Sequence, residues 1–325
     1  MLTAPLPEAL EHALAALGGG DASRARASAD LTRRYRSGAA TAPVARSRDD
    51  VLAYAAARLP ATYAATRIAL GELAVRARWL QPTTHLDLGS GPGTALWAAR
   101  ETWAMIETTT AVEAEPEMRT LARELGGFEL AAGDLPAAIP ANPHDLVTAA
   151  YVFGELGAAA FEATLDRAWD ATGGALVIVE PGTPAGYERL LTARNRLIAR
   201  GGTVVAPCPH DDACPLAAIA GEWCHFAVRV ARSRTHRTAK GAQLGYEDEK
   251  FSYVAVARSP GDRAGARVLR HPQIRSGHVL LELCTPEGRL LETVSRREGG
   301  RYRLARKLDW GSAFAGPNVE IGSVE

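Results

Sequence analysis

The chain has 325 residues, 47% hydrophobic and 23% charged, the balance of a soluble globular protein with room for one large domain plus additions or for two domains. Lys plus Arg and Asp plus Glu both number 37, so net charge by itself neither identifies nor excludes a polyanionic partner. No apolar run approaches the roughly 18 residues of a membrane span, and the start MLTAPLPEALEHALAALGGG lacks the charged and apolar regions of a signal peptide; a cytoplasmic protein with no membrane partner is expected, its four cysteines reduced and available for metal or redox chemistry rather than disulfides.

Residues 1–80 are rich in Ala, Leu and Arg at helical spacing, as in DDVLAYAAARLPATYAATRIALGELAVRARW, and predict an N-terminal region of several helices broken near Pro60 and ended before Pro82. Residues 81–200 alternate between strand and helix patterns: THLDLGSGPGTALWAAR, TTTAVEAEPEMRTLAREL, FELAAGDLP, HDLVTAAYVFGEL and GALVIVEPGTPAGYERLLTARNRLIAR. That alternation predicts an α/β fold with a Rossmann-like, doubly wound parallel sheet. Residues 201–250 carry three of the four cysteines and the basic stretch VRVARSRTHRTAKGAQ, and read as an insertion. Residues 251–325 supply further strands expected to close the sheet, with KFSYVAVAR first and then a hairpin in GHVLLELCTPEGRLLETVSRR turning at PEG, before a basic tail.

In LDLGSGPG, Asp87 ends a strand and Gly89, Gly91 and Gly93 form the turn into a helix. A dinucleotide site would want G-x-G-x-x-G. The G-x-G-x-G spacing after an acid resembles the turn of class I S-adenosylmethionine-dependent methyltransferases, where it cradles the methionine part of the cofactor. Asp87 would orient the turn, or the cofactor's amino group through water. Glu113, twenty residues beyond Gly93, stands at the end of the next strand, where a carboxylate accepts ribose hydroxyls. Asp134 ends the third strand and is placed to meet the adenine amino group; each acid alone would equally serve as a helix cap.

The acceptor side is less explicit. After the fourth strand TAAYVFGEL offers Tyr151 and Glu155, without the Pro-Pro loop of many amino-group methyltransferases, and no cysteine precedes residue 208 to serve as a nucleophile. Glu155 and Glu180 are the candidates for a general base, and Glu180 would equally cap the helix that follows it.

The thiols are spaced C-x5-C-x9-C, with 59 further residues before the fourth, so neither a zinc ribbon nor a C-x-x-C redox pair is present. Cys208, Cys214, Cys224 and Cys284 match either a [4Fe–4S] cluster or a tetrahedral zinc ion. Prolines after Cys208 and Cys214, and the wide loops, lean toward the cluster. His210 and His225 keep zinc open, since either could replace a thiolate. An ordinary core role suits Cys284, in LLELC, better than it suits the polar CPHDDACP.

Taken in order, RLPATYAA, LDLGSGPGTALWAA, YVFGEL, VIVEPGTPAGY, the three-cysteine segment and YEDEKFSYVAVAR resemble the ribosomal small subunit protein 22 family from about Tyr54 to Cys284. The resemblance implies a methyltransferase fold bound to the small ribosomal subunit or its precursor, with a [4Fe–4S] cluster on Cys208, Cys214, Cys224 and Cys284 and a role in ribosome assembly.

From Arg229 onward there are 18 Lys and Arg against 11 Asp and Glu. Arg229, Arg232, Arg234, His236, Arg237 and Lys240 form one run without an acid, and Arg296, Arg297, Arg301, Arg303, Arg306 and Lys307 another. Such runs suit sequence-independent phosphate contacts on rRNA, although alone they are often solvated faces. The expectation is a protein, monomeric when free, that binds S-adenosylmethionine and a cluster and acts on small-subunit rRNA. Its rivals are an active rRNA methyltransferase and a zinc-stabilised methyltransferase of a small molecule or protein.

Overall fold

A computed structural model describes residues 2–17, 47–232 and 243–315. In chain order the main unit contains β1 (Leu2–Thr3), α1 (Glu8–Ala16), α2 (Arg48–Ala57), α3 (Leu59–Arg76), β2 (Thr84–Leu88), α4 (Thr94–Thr102), β3 (Thr108–Glu113), α5 (Pro116–Gly126), β4 (Ala131–Ala132), β5 (His144–Ala150), α6 (Ala158–Asp170), β6 (Thr172–Pro181), α7 (Pro184–Ala199), β7 (Thr203–Ala206), β8 (Phe226–Ala231) and β9 (Tyr246–Ala257). The expected break near Pro60 is a helix boundary: Pro60 sits in the first turn of α3, where its missing N–H costs nothing.

The nine strands form one sheet in the order β1-β8-β9-β6-β5-β2-β3-β4, with β7 also pairing with β9. β2 to β6 are mutually parallel, and β9 runs antiparallel to β6, β7 and β8. The strand order reverses between β2 and β5, so the crevice at the carboxyl ends of these strands is where an open α/β sheet binds its ligand. This mixed sheet, with its antiparallel strand inserted beside β6, is the class I methyltransferase-like arrangement.

Alternate residues of each central strand serve opposite layers, as a period of two requires. Leu146, Ala175, Val177 and Val179 meet α1 to α5 on one face. Leu86, Leu88, Val147, Ala149, Leu176 and Ile178 meet α6 and α7 on the other. Burial on both faces explains why DLVTAA and ALVIV read as almost unbroken apolar runs.

Of the strands expected after residue 250, β9 joins this sheet and the others make a second one. β10 (Ala266–Val268), β11 (Gln273–Arg275), β12 (His278–Thr285), β13 (Gly288–Ser295) and β14 (Ala313–Phe314) are ordered β11-β12-β10-β14, with β13 on the free side of β12 and α8 (Gly300–Ala305) against the sheet. The β12–β13 hairpin turns at Pro286–Glu287, as PEG predicts. Val279, Leu281 and Leu283 fill this second core. By the same alternation Cys284 points the other way, into a cluster with Leu216 and Leu269.

Arg267 of β10 stitches the two sheets together. It is 2% exposed. Its guanidinium donates to the carbonyls of Pro207 (3.0 Å) and Gly311 (2.8 Å) and pairs with Glu72 of α3 at 2.7 Å. Breaking a buried pair leaves its partners unsatisfied. Arg267→Ala is therefore expected to lose about 3 kcal/mol of unfolding free energy, read from urea denaturation; a loss no larger than that of an exposed Arg275→Ala control would show that the stitch carries no load.

Candidate functional site: a glycine turn and a four-thiol cavity

β2 delivers Asp87 to the sheet's carboxyl edge, and the chain turns at Gly89, Gly91 and Gly93, all at positive φ. A Cβ on Gly89 would stand 2.3 Å from Val152, so the segment after β5 packs directly on the turn. A Cβ on Gly91 would meet nothing within 4 Å, so its backbone faces open space.

Asp87 is 1% exposed. It accepts from the Ser90 hydroxyl and from the Thr148 hydroxyl, each at 2.6 Å. Because Thr148 gives its proton to Asp87, the 2.8 Å contact from His85 Nε2 must be a donation, which fixes that imidazole's tautomer. Burial lowers the His85 pKa to about 3 and raises the Asp87 pKa to about 6, against the pull of its two hydroxyl donors. Of the two roles expected for Asp87, orienting the turn is the one its bonds perform.

Glu113 Oε2 accepts from the Gly91 N–H at 2.7 Å and Oε1 from the Glu115 N–H at 2.8 Å. Each oxygen retains a lone pair for a further donor. Burial raises its pKa, countered by the Glu115 and Gly91 N–H groups. Asp134 is exposed, two residues past β4. Tyr54 of α2, where the family resemblance begins, lies close enough to Glu155 and Glu113 for their charges to add to the burial that raises its phenol pKa.

The acceptor-side candidates separate. Tyr151 is the one described non-glycine residue at positive φ, 61°, a strained conformation that occurs preferentially at functional sites. Its hydroxyl donates to Glu249 Oε1 at 3.3 Å. Glu155 is exposed just beyond it. Glu180 is fully buried, and its Oε2 accepts from Arg189 Nε at 2.8 Å. Burial raises the Glu180 pKa, and Arg189 draws it back.

All four cysteines line one cavity of about 50 Å³, with Tyr187, Arg194, Leu216, Ser252 and Arg267 among its walls. Three come from the segment after β7; Cys284 comes from β12 of the second sheet. The Tyr187 hydroxyl donates to Cys214 Sγ at 3.2 Å, and Ser252 Oγ donates to the Cys224 carbonyl at 2.8 Å. Burial, then the charge of neighbouring thiols, raises Cys224 well above an ordinary thiol and Cys284 to about 12. Burial also raises Cys208, while Arg194 beside it pulls the other way. Four such thiols cannot ionise together without a cation among them. Among the described residues no group of three or more His, Cys, Asp or Glu is arranged to hold a metal ion; the thiols surround a space instead. Neither histidine considered as a zinc ligand lines it. His210 Nε2 sits 3.6 Å from Cys284 Sγ, and His225 is stacked between Trp223 and Trp310.

The basic candidates are partly neutralised. Arg229 makes a two-pronged contact with Asp248 (2.8 and 2.9 Å) and lies over the Tyr246 ring, and Arg232 pairs with Glu247 at 2.8 Å. Arg234, His236, Arg237 and Lys240 lie outside the described residues. In the second run Arg301 is paired with Glu292 and Glu298, whereas Arg296, Arg297, Arg303, Arg306 and Lys307 are exposed. No helix among the described residues is long and apolar enough to cross a membrane.

The raised pKa of Asp87 has a thermodynamic signature. Between about pH 4 and pH 6 the folded chain holds a proton there that the unfolded chain releases, so this group's contribution to stability falls as pH rises through that window. Asp87→Asn should flatten the wild-type slope there, by about 3 kcal/mol at most, in urea melts at a series of pH values. Parallel slopes for the two proteins would mean that Asp87 titrates normally.

The chain spans 61% of the human mitochondrial ribosome assembly protein METTL17, with 33% identity over 286 residues and 80% of this chain covered. It spans 39% of the mitochondrial ribosome assembly protein RSM22 of Saccharomyces cerevisiae, at 24% identity over 246 residues and 45% of this chain. It thus spans less than two thirds of either relative. A solved magnesium protoporphyrin IX methyltransferase from Synechocystis, bound to S-adenosylmethionine, superposes on 71% of this chain and 90% of its own, with a TM-score of 0.39 and 12% identity. The family model described as mitochondrial small ribosomal subunit Rsm22 matches residues 48–315, which include both the glycine turn and all four thiols, and the chain belongs to that family.

Proposed function

We propose that this protein binds S-adenosylmethionine at the glycine turn and a [4Fe–4S] cluster in the thiol cavity, and that it acts on small-subunit rRNA during ribosome assembly. The observation that carries the reading is the meeting of four cysteines, three from the segment after β7 and one from β12, in the lining of one cavity that includes no histidine. A cluster needs one thiolate per corner and more room than a single ion. Its irons would supply the cations without which buried thiolates repel, and its main role would be to fix the cysteine segment against the second sheet. METTL17 and RSM22, both ribosome assembly proteins, support the rRNA partner. Exposed Arg296, Arg297, Arg303, Arg306 and Lys307 are the described residues best placed for phosphate contacts.

Cofactor binding rests on Gly91, whose backbone faces open space, and on Glu113, whose oxygens keep acceptor capacity beside it. Methyl transfer to rRNA is a second reading, favoured by the strained Tyr151, which immediately precedes Val152, the residue packed on this turn. Tritium transfer from labelled cofactor to 30S particles or their precursors separates it from assembly without methylation.

Two outcomes check the sites. Glu113→Ala should weaken S-adenosylmethionine binding at least tenfold by calorimetry, about 1.4 kcal/mol, with the fold retained by circular dichroism; unchanged affinity would remove Glu113 from the site. Cys208→Ser, purified anaerobically, should lose most of its iron and the absorbance near 400 nm and bind 30S precursors more weakly. A Ser variant that binds them as wild type does would detach the cysteine site from ribosome association.

A further inference from the structure

Arg194 of α7 is 4% exposed and borders the thiol cavity. Its Nη2 donates to the carbonyls of His210 (2.9 Å) and Asp212 (2.8 Å), both in the loop between Cys208 and Cys214, and its Nη1 donates to Asn195 Oδ1 at 3.2 Å. Its Nε–H is buried with no hydrogen-bond partner among the described residues. No carboxylate forms an ion pair with it there either. The contrast is Arg267, the other buried guanidinium on this cavity, which has Glu72. Carbonyl dipoles orient a guanidinium but do not cancel its charge, and an unpaired buried cation costs several kcal/mol.

We propose that Arg194 is the resident counter-charge of the cavity, a positioning residue that holds the Cys208–Cys214 loop and offsets the negative charge of whatever four-thiolate centre fills it. The proposal rests on the cluster reading above. Four thiolates make a [4Fe–4S] centre negative, and reduction adds one more charge. A cation buried beside Cys208 therefore favours the thiolate-bound state over the empty thiol state, and the reduced centre over the oxidised one. The loop clamp and the charge reside in one side chain, so they separate only in a pair of variants: Arg194→Gln removes the charge, and Arg194→Lys keeps it while losing the guanidinium fork.

The test uses the full chain purified anaerobically, with iron and acid-labile sulfide counted and the midpoint potential followed by electron paramagnetic resonance during dithionite titration. Arg194→Gln should lower the reduced-to-oxidised ratio at a given potential by tenfold or more, about 59 mV for one electron, while Arg194→Lys keeps the wild-type midpoint. Loss of iron from the Gln variant, with iron retained by the Lys variant, supports the same conclusion. A Gln variant with wild-type iron content and midpoint overturns it. So does equal loss of iron from both variants, because the geometry of the fork and not its charge would then be what matters. A wild-type chain without iron is a failure of the cluster reading itself, visible before any variant is made, and Arg194 would then have no such centre to balance.

Discussion

A buried guanidinium, Arg267, makes the most enclosed of several polar links between the two halves of this molecule, among them Arg270–Glu222 and Arg263–Asp211. Arg267 reaches from the second sheet to Glu72 in the helical layer, to the Pro207 carbonyl next to Cys208 and to the Gly311 carbonyl near the end of the described chain. Those contacts bring the face of β12 that carries Cys284 onto the segment that carries the other three thiols. Apolar contacts also join the sheets here, through Leu216, Leu269 and Cys284 and through Trp310, which packs in the main core beside His225. Directional, charge-assisted contacts add to these apolar ones in fixing the walls of the cavity.

The glycine turn is held by a different device. Ser90, Asp87, Thr148 and His85 form a closed buried chain across β2 and β5, with Glu113 clasping Gly91 from β3. Satisfied polar groups in the interior cost little and specify one arrangement. The turn is thereby shaped by its own side chains, with Gly91 left facing open space. β9 connects the two regions: Glu249 contacts Tyr151 near the turn, and three residues on Ser252 contacts the Cys224 backbone.

The sheet was legible in the sequence because its signals are local. Strand runs alternating with helical ones, glycines where φ is positive and a PEG hairpin each follow from a few neighbouring residues. The meeting of Cys284 with the other thiols could be suspected from the count of cysteines, but its cause is period-two alternation in β12 together with Arg267, and neither has meaning until strand pairing is known. Arg194 was invisible for the same reason: in TARNRLIAR it reads as one more helical arginine. Charge runs misled in the opposite direction. Arg229 and Arg232 stand in a run without acids, yet Asp248 and Glu247 face them from the neighbouring strand, a cross-strand pairing that sequence proximity does not reveal. Glu180, at a strand end, suits a general base or a helix cap by sequence alone, and its ion pair with Arg189 of the next helix becomes visible only in the fold.

The proposal that the four thiols hold an iron–sulfur cluster is tested most directly by the metal content of the full chain purified without oxygen, read together with its visible spectrum. The account predicts about four irons and four sulfides per chain, with absorbance near 400 nm. A colourless protein loaded with zinc, or one holding no metal at all, would contradict it.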